Sequence, residues 1–498
     1  MKVGDYVLTH RGAFKRVTKV FTHQYYGSMV EVIPWYTNMP MVSTLDHPIL
    51  IAPSVRVPQT VWRQSYNLEE LTWKEAKALS LEDFMAFPRI GSSPQQVLDL
   101  REFLMPVQHT KYCEVDCKKK HHLNWDRNPV KETITISPEV LETIGLYLAE
   151  GCVSVQTRGI QTRFCFGKAI KEYSYAHLVE KTLQVDFGVR TLHWIMESTN
   201  VIDISSRSLG RFFSLFGKNS KEKRLPPWAI LLPEEQIRWV LKGMFEGDGN
   251  HSYYAFNYSS SSFSMVSQLR LILFKLGILN GVKIVKAYPS NINGRVIKSR
   301  TPNYVVTISG DAARRFARLI ESDHDGGQRT SGNFGFVTEK QCLIPIRKIG
   351  LSNYHGPVYN LEVESDESYT TLWGVVHNCS YKHLGSAKIK LQEAMASEGK
   401  RLQEKVTDAW DQLNEVETTH LTRWPELIPK LREMRKRLEP SVFTATPPDP
   451  KLLGEIEAFR KEVLLYEGEE QGHEHAHGAV VQESDEKSLN LPINSILT

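Results

Sequence analysis

The chain has 498 residues, too many for one hydrophobic core and enough for roughly three or four domains. Its 41% hydrophobic and 24% charged content is ordinary for globular protein, and no run approaches the roughly 18 apolar residues of a membrane span. The net charge of +4 is uneven: residues 379–498 hold 16 Lys+Arg against 21 Asp+Glu, leaving residues 1–378 at +9. The basic part suits a polyanionic partner, while the acidic part reads as a different protein. No secretory h-region follows Met1, and six cysteines form no regular framework, so a reducing, cytoplasmic setting is expected.

In chain order, the first 60 residues read as short strands. "DYVLTHRGAFKRVTKVFTHQYYGSMVEVIP" alternates β-branched and aromatic residues around turn glycines Gly12 and Gly27. Residues 340–378 have the same texture ("CLIPIRKIG", "GPVYNLEVES", "SYTTLWGVVHN"), which predicts one all-β domain split by an insertion. Within the insertion the period changes to that of helices. "SPEVLETIGLYLAEG" has Ser137 as N-cap, Pro138 in the first turn and Gly151 at the end. "LPEEQIRWVLKGMFEGDG" repeats the plan from Pro233 to Gly249. Each helix is followed by two alternating runs and another helix, and Glu150 and Asp248 are equivalent points, so a duplicated αββα unit is expected. After Cys379 the pattern is mainly α-helical, with an acidic polar tail from about Glu467.

Two constellations point to chemistry. Both duplicated helices end in an acid followed by glycine, Glu150-Gly151 and Asp248-Gly249, and carry small residues four apart at Gly145 and Ala149, and at Gly243 and Gly247. Helices touching along those residues bring two carboxylates to one point, where they repel unless a cation such as Mg²⁺ lies between them. The other is "VVHNCS". Asn378 precedes Cys379, and an Asn side chain that attacks its own carbonyl breaks the chain there, with His377 placed for proton transfer. For either feature alone, a surface helix end or a strand end with a buried thiol is the simpler reading.

"TIGLYLAEG" and "LKGMFEGDG" resemble the paired motifs of LAGLIDADG homing endonucleases, and "KEKRLPPW" resembles the stretch between them. The resemblance implies Glu150 and Asp248 as metal-binding catalytic acids with Mg²⁺ or Mn²⁺, and Lys223 as a basic assistant. It also implies double-stranded DNA held on strands and loops, for which Arg158, Arg163, Lys168, Arg295, Lys298 and Arg300 are the basic candidates. The flanks resemble the Hint fold of inteins. "TLDHP" matches the T-x-x-H motif (Thr44, His47), and "GPVYNLEVESDESYTTLWGVVHNC" matches the C-terminal motifs (Asn360, His377, Asn378, Cys379). By that resemblance Thr44 and His47 serve an N-terminal scissile bond, Asn378 cyclises with help from His377, and Cys379 is the first host residue and nucleophile. Inteins usually carry Asp where this chain has Asn360, and often His where it has Glu367. The first intein motif also starts with a Cys or Ser upstream of "KVGDYVLTHRG", so full splicing by this polypeptide alone is not expected.

The expected architecture is α+β multidomain: an all-β Hint splicing domain interrupted by a duplicated αββα LAGLIDADG endonuclease, then a mainly α-helical segment. The boundaries are residues 1–91 for the first Hint part, 92–135 for a basic DNA-contact region, 136–232 and 233–334 for the repeats, 335–378 for the second Hint part and 379–498 for the host segment. The expected partner is double-stranded DNA, with no membrane association; partners of the host segment are not legible. Cys113, Cys117, His121 and His122 lack the second Cys pair of a zinc site, so their basic stretch is assigned to DNA contact, and His473, His475 and His477 belong to the polar tail. Two alternatives stay open: an interaction protein carrying a decayed intein, and a stand-alone endonuclease on a Hint scaffold.

Overall fold

The computed structural model describes residues 1–57, 65–104, 126, 128–156, 159–252, 254–286, 289–292, 295–298, 302–324, 335–377, 391, 394–395, 399–419, 425–444, 446–459 and 462–463. Its described residues form two compact units, one from 1–32, 41–86 and 348–463, the other from 33–40 and 87–347. Among them no helix is long and apolar enough to cross a membrane.

The first unit opens with β1 (Tyr6–Leu8), which turns back through Gly12 at φ 77° to pair with the long β2 (Phe14–Pro34), Tyr6 lying opposite Arg16. β3 (Met41–Thr44) pairs with β2, and β4 (Pro48–Ala52) is buried at every position. β5 (Thr72–Glu75) and β6 (Phe84–Pro88) both pair with β4. A strand buried on both faces reads as a continuous apolar run rather than an alternation, and "PILIA" and "FMAFP" are such runs.

In the second unit, α1 (Pro138–Glu150) starts where its cap chemistry places it. The Ser137 side chain accepts from the Val140 amide, Pro138 fills the first turn, and Gly151 ends the helix. β7 (Gly151–Gln156), β8 (Gly159–Phe166), α2 (Ile170–Val185), β9 (Leu192–Ile195), β10 (Asn200–Ser205) and α3 (Arg207–Ser214) follow, with the strands in the order β7-β8-β10-β9. α4 (Glu234–Gly247) leads to β11 (Gly249–Ser252), β12 (Ala255–Ser260), α5 (Phe263–Lys275), β13 (Gly281–Val285), β14 (Asn303–Ser309) and α6 (Asp311–Leu319), in sheet order β11-β12-β14-β13. The expected αββα pattern is therefore too short: two more sheet strands and a helix follow α2 and again α5, with a separate hairpin of Pro289–Ile292 and Arg295–Lys298 between β13 and β14. The missed β9 has all four residues exposed, so it carries no buried–exposed alternation to betray it.

Aromatic residues fill the core beside each helix. Tyr147 of α1 packs on Phe164, Phe213 and Phe216, and Phe245 of α4 packs on Phe256, Tyr258 and Phe316. The chain then returns to the first unit through β15 (Gln341–Val363), β16 (Ser368–Thr370) and β17 (Val375–His377), giving the strand order β1-β2-β15-β6-β4-β17-β16. Beyond them α7 (Gly399–Thr419) and α8 (Ile428–Thr444) bury Leu402, Val406, Leu413, Leu431, Met434 and Leu438 in a separate apolar cluster.

Candidate nuclease centre and a buried histidine cluster

α1 and α4 meet backbone to backbone. A Cβ added to Gly145 would lie 2.9 Å from Gly243 Cα, and one added to Gly243 would lie 2.8 Å from the Leu146 nitrogen, so neither position accepts a side chain at this spacing. The contact continues to the helix ends, where a Cβ on Gly247 would meet Glu150 Cγ at 3.2 Å. Both helices stop there, α1 at Glu150 and α4 with Asp248 as its C-cap. The two acids therefore share one end of the helix pair.

Their electrostatics follow from that placement. Burial first, then the Asp248 carboxylate, push Glu150 up to about 7. Burial also raises Asp248, to about 6, and the Lys223 ammonium opposes the shift. Lys223 lies beneath them, 4% exposed, and donates from Nζ to the carbonyls of Tyr147 (2.5 Å) and Gly151 (2.6 Å) while its ammonium sits 3.8 Å from the Tyr147 ring centre. Burial pulls its amine down to about 7, and Cys152, Asp248 and Glu150 oppose that shift.

The Lys223 main chain is pinned by residues that reading the sequence missed. Ser262, the N-cap of α5, donates to the Lys223 carbonyl at 2.6 Å, and Gln268 bonds both the amide and the carbonyl of Leu225. These partners lie about 40 residues downstream, so no local pattern announces them.

Two carboxylates that repel across a half-buried gap fit a hard divalent cation. Among the described residues no group of three His, Cys, Asp or Glu converges. That donor set suits Mg²⁺ or Mn²⁺, which fill their remaining positions with water and phosphate oxygens.

The sheet faces turned away from the aromatic cores carry the other candidates. On the first sheet Cys152, Arg163, Asp203 and Leu192 form one cross-strand row, and Cys165, Val201 and Trp194 the next. Arg163 is engaged with Asp203 through two hydrogen bonds of 2.6 and 2.9 Å, a bidentate pair that fixes its guanidinium on that carboxylate. On the second sheet Asn250, Asn257 and Thr307 align, and the Thr307 hydroxyl donates to Asn257 at 2.9 Å. Lys168 is exposed before α2. Arg295 and Lys298 lie on the strand Arg295–Lys298, while Arg158, Arg300, Cys113, Cys117, His121 and His122 lie outside the described residues, as do His473, His475 and His477.

The first unit has its own buried polar cluster. His377, 2% exposed, ends β17, and its ring meets the Trp73 indole edge-on at 4.9 Å. β17 pairs with β4 at Val376 and Ile49, which brings His47 to the same end of the sheet as His377. The Thr44 carbonyl accepts from the His47 amide at 3.2 Å, closing the turn between β3 and β4. Asn360 uses Oδ1 locally, accepting from the Leu361 amide (2.8 Å) and the Tyr369 hydroxyl (2.9 Å). His10, which sequence reading passed over, is also buried here beside Ser368 and Trp73. Asn378 and Cys379 lie outside the described residues.

Residues 235–321 match the LAGLIDADG-like domain family, so the chain contains a domain of that class. Among curated proteins, the ATP-dependent DNA helicase Hel308 of Thermococcus kodakarensis is 25% identical over 427 residues, covering 78% of this chain and 35% of the helicase. An uncharacterised protein of Methanocaldococcus jannaschii is 25% identical over 405 residues (76% and 48%). An iron-sulfur cluster assembly SufBD family protein of Mycobacterium tuberculosis is 23% identical over 402 residues (76% and 40%). The chain thus spans between a third and a half of the length of these relatives. Similar solved structures include the homing endonuclease I-DmoI in complex with DNA and Ca, at TM-score 0.28 and 15% identity over 38% of this chain and 92% of that one. Another is full-length DUF199/WhiA from Thermatoga maritima, at TM-score 0.24 and 11% identity over 67% and 93%.

Proposed function

We propose that this chain is a site-specific double-stranded DNA endonuclease of the LAGLIDADG type, carried inside an intein-like splicing element and followed by a host segment from Cys379. The observation that carries the nuclease reading is the convergence of Glu150 and Asp248 at the shared end of two helices in backbone contact. Each repeat would supply one acid, in keeping with a duplicated origin for the two four-stranded sheets. A divalent ion bound by two such carboxylates supplies the charge that activates water and stabilises a leaving phosphodiester oxygen. The chain's own residues do the rest. Glu150 and Asp248 would hold the ion. Lys223, fixed by the Tyr147 and Gly151 carbonyls, presents an amine that exchanges its proton near neutral pH. The outward rows of Arg163, Asn250 and Asn257 offer donors and acceptors for base edges, and their inequality between the sheets suits an asymmetric target.

The splicing reading is favoured by a separate observation. Relatives with unrelated names, a helicase and an iron-sulfur assembly protein, match 78% and 76% of this chain but less than half of themselves. That is the expected pattern of one element resident in different hosts. In the step assigned to it, the Asn378 side-chain amide nitrogen bonds to its own backbone carbonyl carbon and the bond to the Cys379 nitrogen breaks. The amide proton passes to that leaving amine, and a succinimide remains at residue 378. The nuclease reading is tested by incubating the purified chain with a randomised double-stranded DNA pool and Mg²⁺ and sequencing the cleaved ends. One recurrent long site that vanishes with Glu150→Gln is expected; no site, or a site that survives the substitution, overturns the reading.

A further inference from the structure

The link between β2 and β3 does not stay with the strands it joins: residues 33–40 belong to the second unit. There Thr37 forms a parallel bridge with Val282 of β13, whose amide donates to the Tyr36 carbonyl at 2.8 Å. The Asn38 side chain pairs with Ile284 in both directions. Its Nδ2 donates to the Ile284 carbonyl and its Oδ1 accepts the Ile284 amide, each at 3.1 Å. One side chain thus supplies the donor and the acceptor that a neighbouring strand would offer. Gly281 permits the approach, since an added Cβ would lie 2.5 Å from the Tyr36 carbonyl oxygen. Tyr36 takes φ 69°, a region that residues with a side chain seldom adopt, so its surroundings hold it there. Arg347 anchors the link from elsewhere in the unit, donating to the Thr37 carbonyl at 3.0 Å. The corresponding edge strand of the first sheet, β9, has all four residues exposed, and among the described residues no bridge covers it. The same sheet plan therefore forms there with an open edge.

What the cover holds is Lys283, because its two chain neighbours, Val282 and Ile284, are the residues tied to the link. Lys283 stands opposite Val305, and Val305 opposite Ser259, beside the row of Gly281, Thr307, Asn257 and Asn250. Alternate residues of a strand share a face, so the exposed Lys283 belongs to the outward face that carries Asn257 and Thr307. We infer that residues 36–38 position β13 for DNA, holding Lys283 to meet a phosphate beside the base pairs read by the second sheet; this rests on the nuclease reading above. Lys283 is the contacting residue, and Asn38 is a positioning residue that acts through it. A lysine is a point charge on a flexible stem, so the place of its backbone decides which phosphate it reaches. The inserted nuclease is then not self-contained: its second sheet borrows an edge from the chain between β2 and β3.

The test uses the full chain with Asn38→Ala, Lys283→Ala and the two substitutions combined. Asn38 is exposed, so its loss leaves the core untouched. Amide hydrogen exchange is followed by mass spectrometry, and affinity is measured in Ca²⁺ across a salt series on a duplex carrying the site recovered by the cleavage selection. Asn38→Ala should speed exchange in residues 281–285 roughly fivefold or more and leave the first sheet unchanged. Lys283→Ala should lower affinity and reduce the slope of log affinity against log salt by about one. Asn38→Ala should reproduce most of that loss of slope, and the double variant should lose no more than Lys283→Ala alone. Unchanged exchange in Asn38→Ala, a parent-like slope, or losses that add in the double variant each overturn the positioning role and leave the nuclease reading standing. If the selection recovers no site, or the parent does not bind it, the nuclease reading falls and this role falls with it.

Discussion

Gly145 and Gly243 lie back to back where α1 crosses α4, each occupying the volume a neighbour's Cβ would need. Helix backbones this close leave no room to relax, because the contact is with main-chain atoms and not with flexible side chains. Gly145→Ala is therefore expected to cost about 1–3 kcal/mol of stability despite its better helix propensity. By splaying the helix ends it should also abolish metal-dependent DNA cleavage. Gly159→Ala, where an added methyl meets nothing within 4 Å, is the comparison and should stay within about 0.5 kcal/mol. Thermal unfolding and cleavage assays on both variants check the pair of outcomes.

Glu150→Gln and Asp248→Asn keep side-chain volume and remove charge. If the acids hold the metal, each variant should lose DNA cleavage by a factor of a hundred or more while binding DNA in Ca²⁺ nearly as well as the parent, about 10²-fold being the scale of one electrostatic contribution. Apo stability at pH 8 should rise in Glu150→Gln, because a carboxylate held against Asp248 is removed. Undiminished cleavage by either protein would remove that acid from the centre.

Phosphate contacts leave a signature that base contacts do not. Residues 1–378 carry the net charge of +9, and Lys168 is exposed at the start of α2. DNA affinity is expected to fall roughly tenfold or more between about 50 and 200 mM salt. Lys168→Ala should reduce the slope of that dependence, and Asp203→Ala, by releasing Arg163, should change sequence preference more than slope. A flat salt profile would rule out a phosphate-based interface.

The sequence made the helix pair legible because its signals are local. Ser137, Pro138 and Gly151 cap one helix, and the acid-Gly endings repeat at a fixed distance. It did not reveal β9, whose four exposed residues alternate nothing, nor the second half of each sheet. Residues that work through distant partners were equally silent. His10 sits beside a turn like any surface histidine, and only the fold brings Ser368, 358 positions away, onto its ring. Lys223 stands out in the sequence only by its resemblance to a family motif, and burial against the Tyr147 ring is what sets it physically apart in its charged run.

Burial holds His10 down at about 4, with Arg11 and His377 pushing the same way and Asp366 opposing. In the unfolded chain the same ring titrates near its ordinary value, so between about pH 6.5 and 4 the unfolded state binds the extra proton. Stability from this site is thus fully present above about pH 6.5 and drains away as pH falls toward 4. His10→Gln, which has no charge to acquire, should flatten that part of the thermal-unfolding profile. A curve for His10→Gln that parallels the parent from pH 7 to 4 would mean that the ring is not buried neutral in solution.

Lys223 joins two structural duties to one chemical one, and two substitutions separate them. Lys223→Met keeps the apolar stem but leaves the Tyr147 and Gly151 carbonyls without their donor, a loss of about 1–3 kcal/mol for buried acceptors. Lys223→Arg keeps a donor but demands more volume under the Tyr147 ring, and its guanidinium does not give up a proton near neutral pH. If proton exchange by the amine contributes to strand cleavage, both variants should slow single-turnover cleavage by roughly a hundredfold, with DNA affinity little changed. If the lysine only anchors the helix end, Lys223→Arg, by restoring a donor to those carbonyls, should recover most of the rate that Lys223→Met loses. Measuring the single-turnover rate and the dissociation constant on the same DNA, together with the unfolding temperature of each variant, decides between these roles.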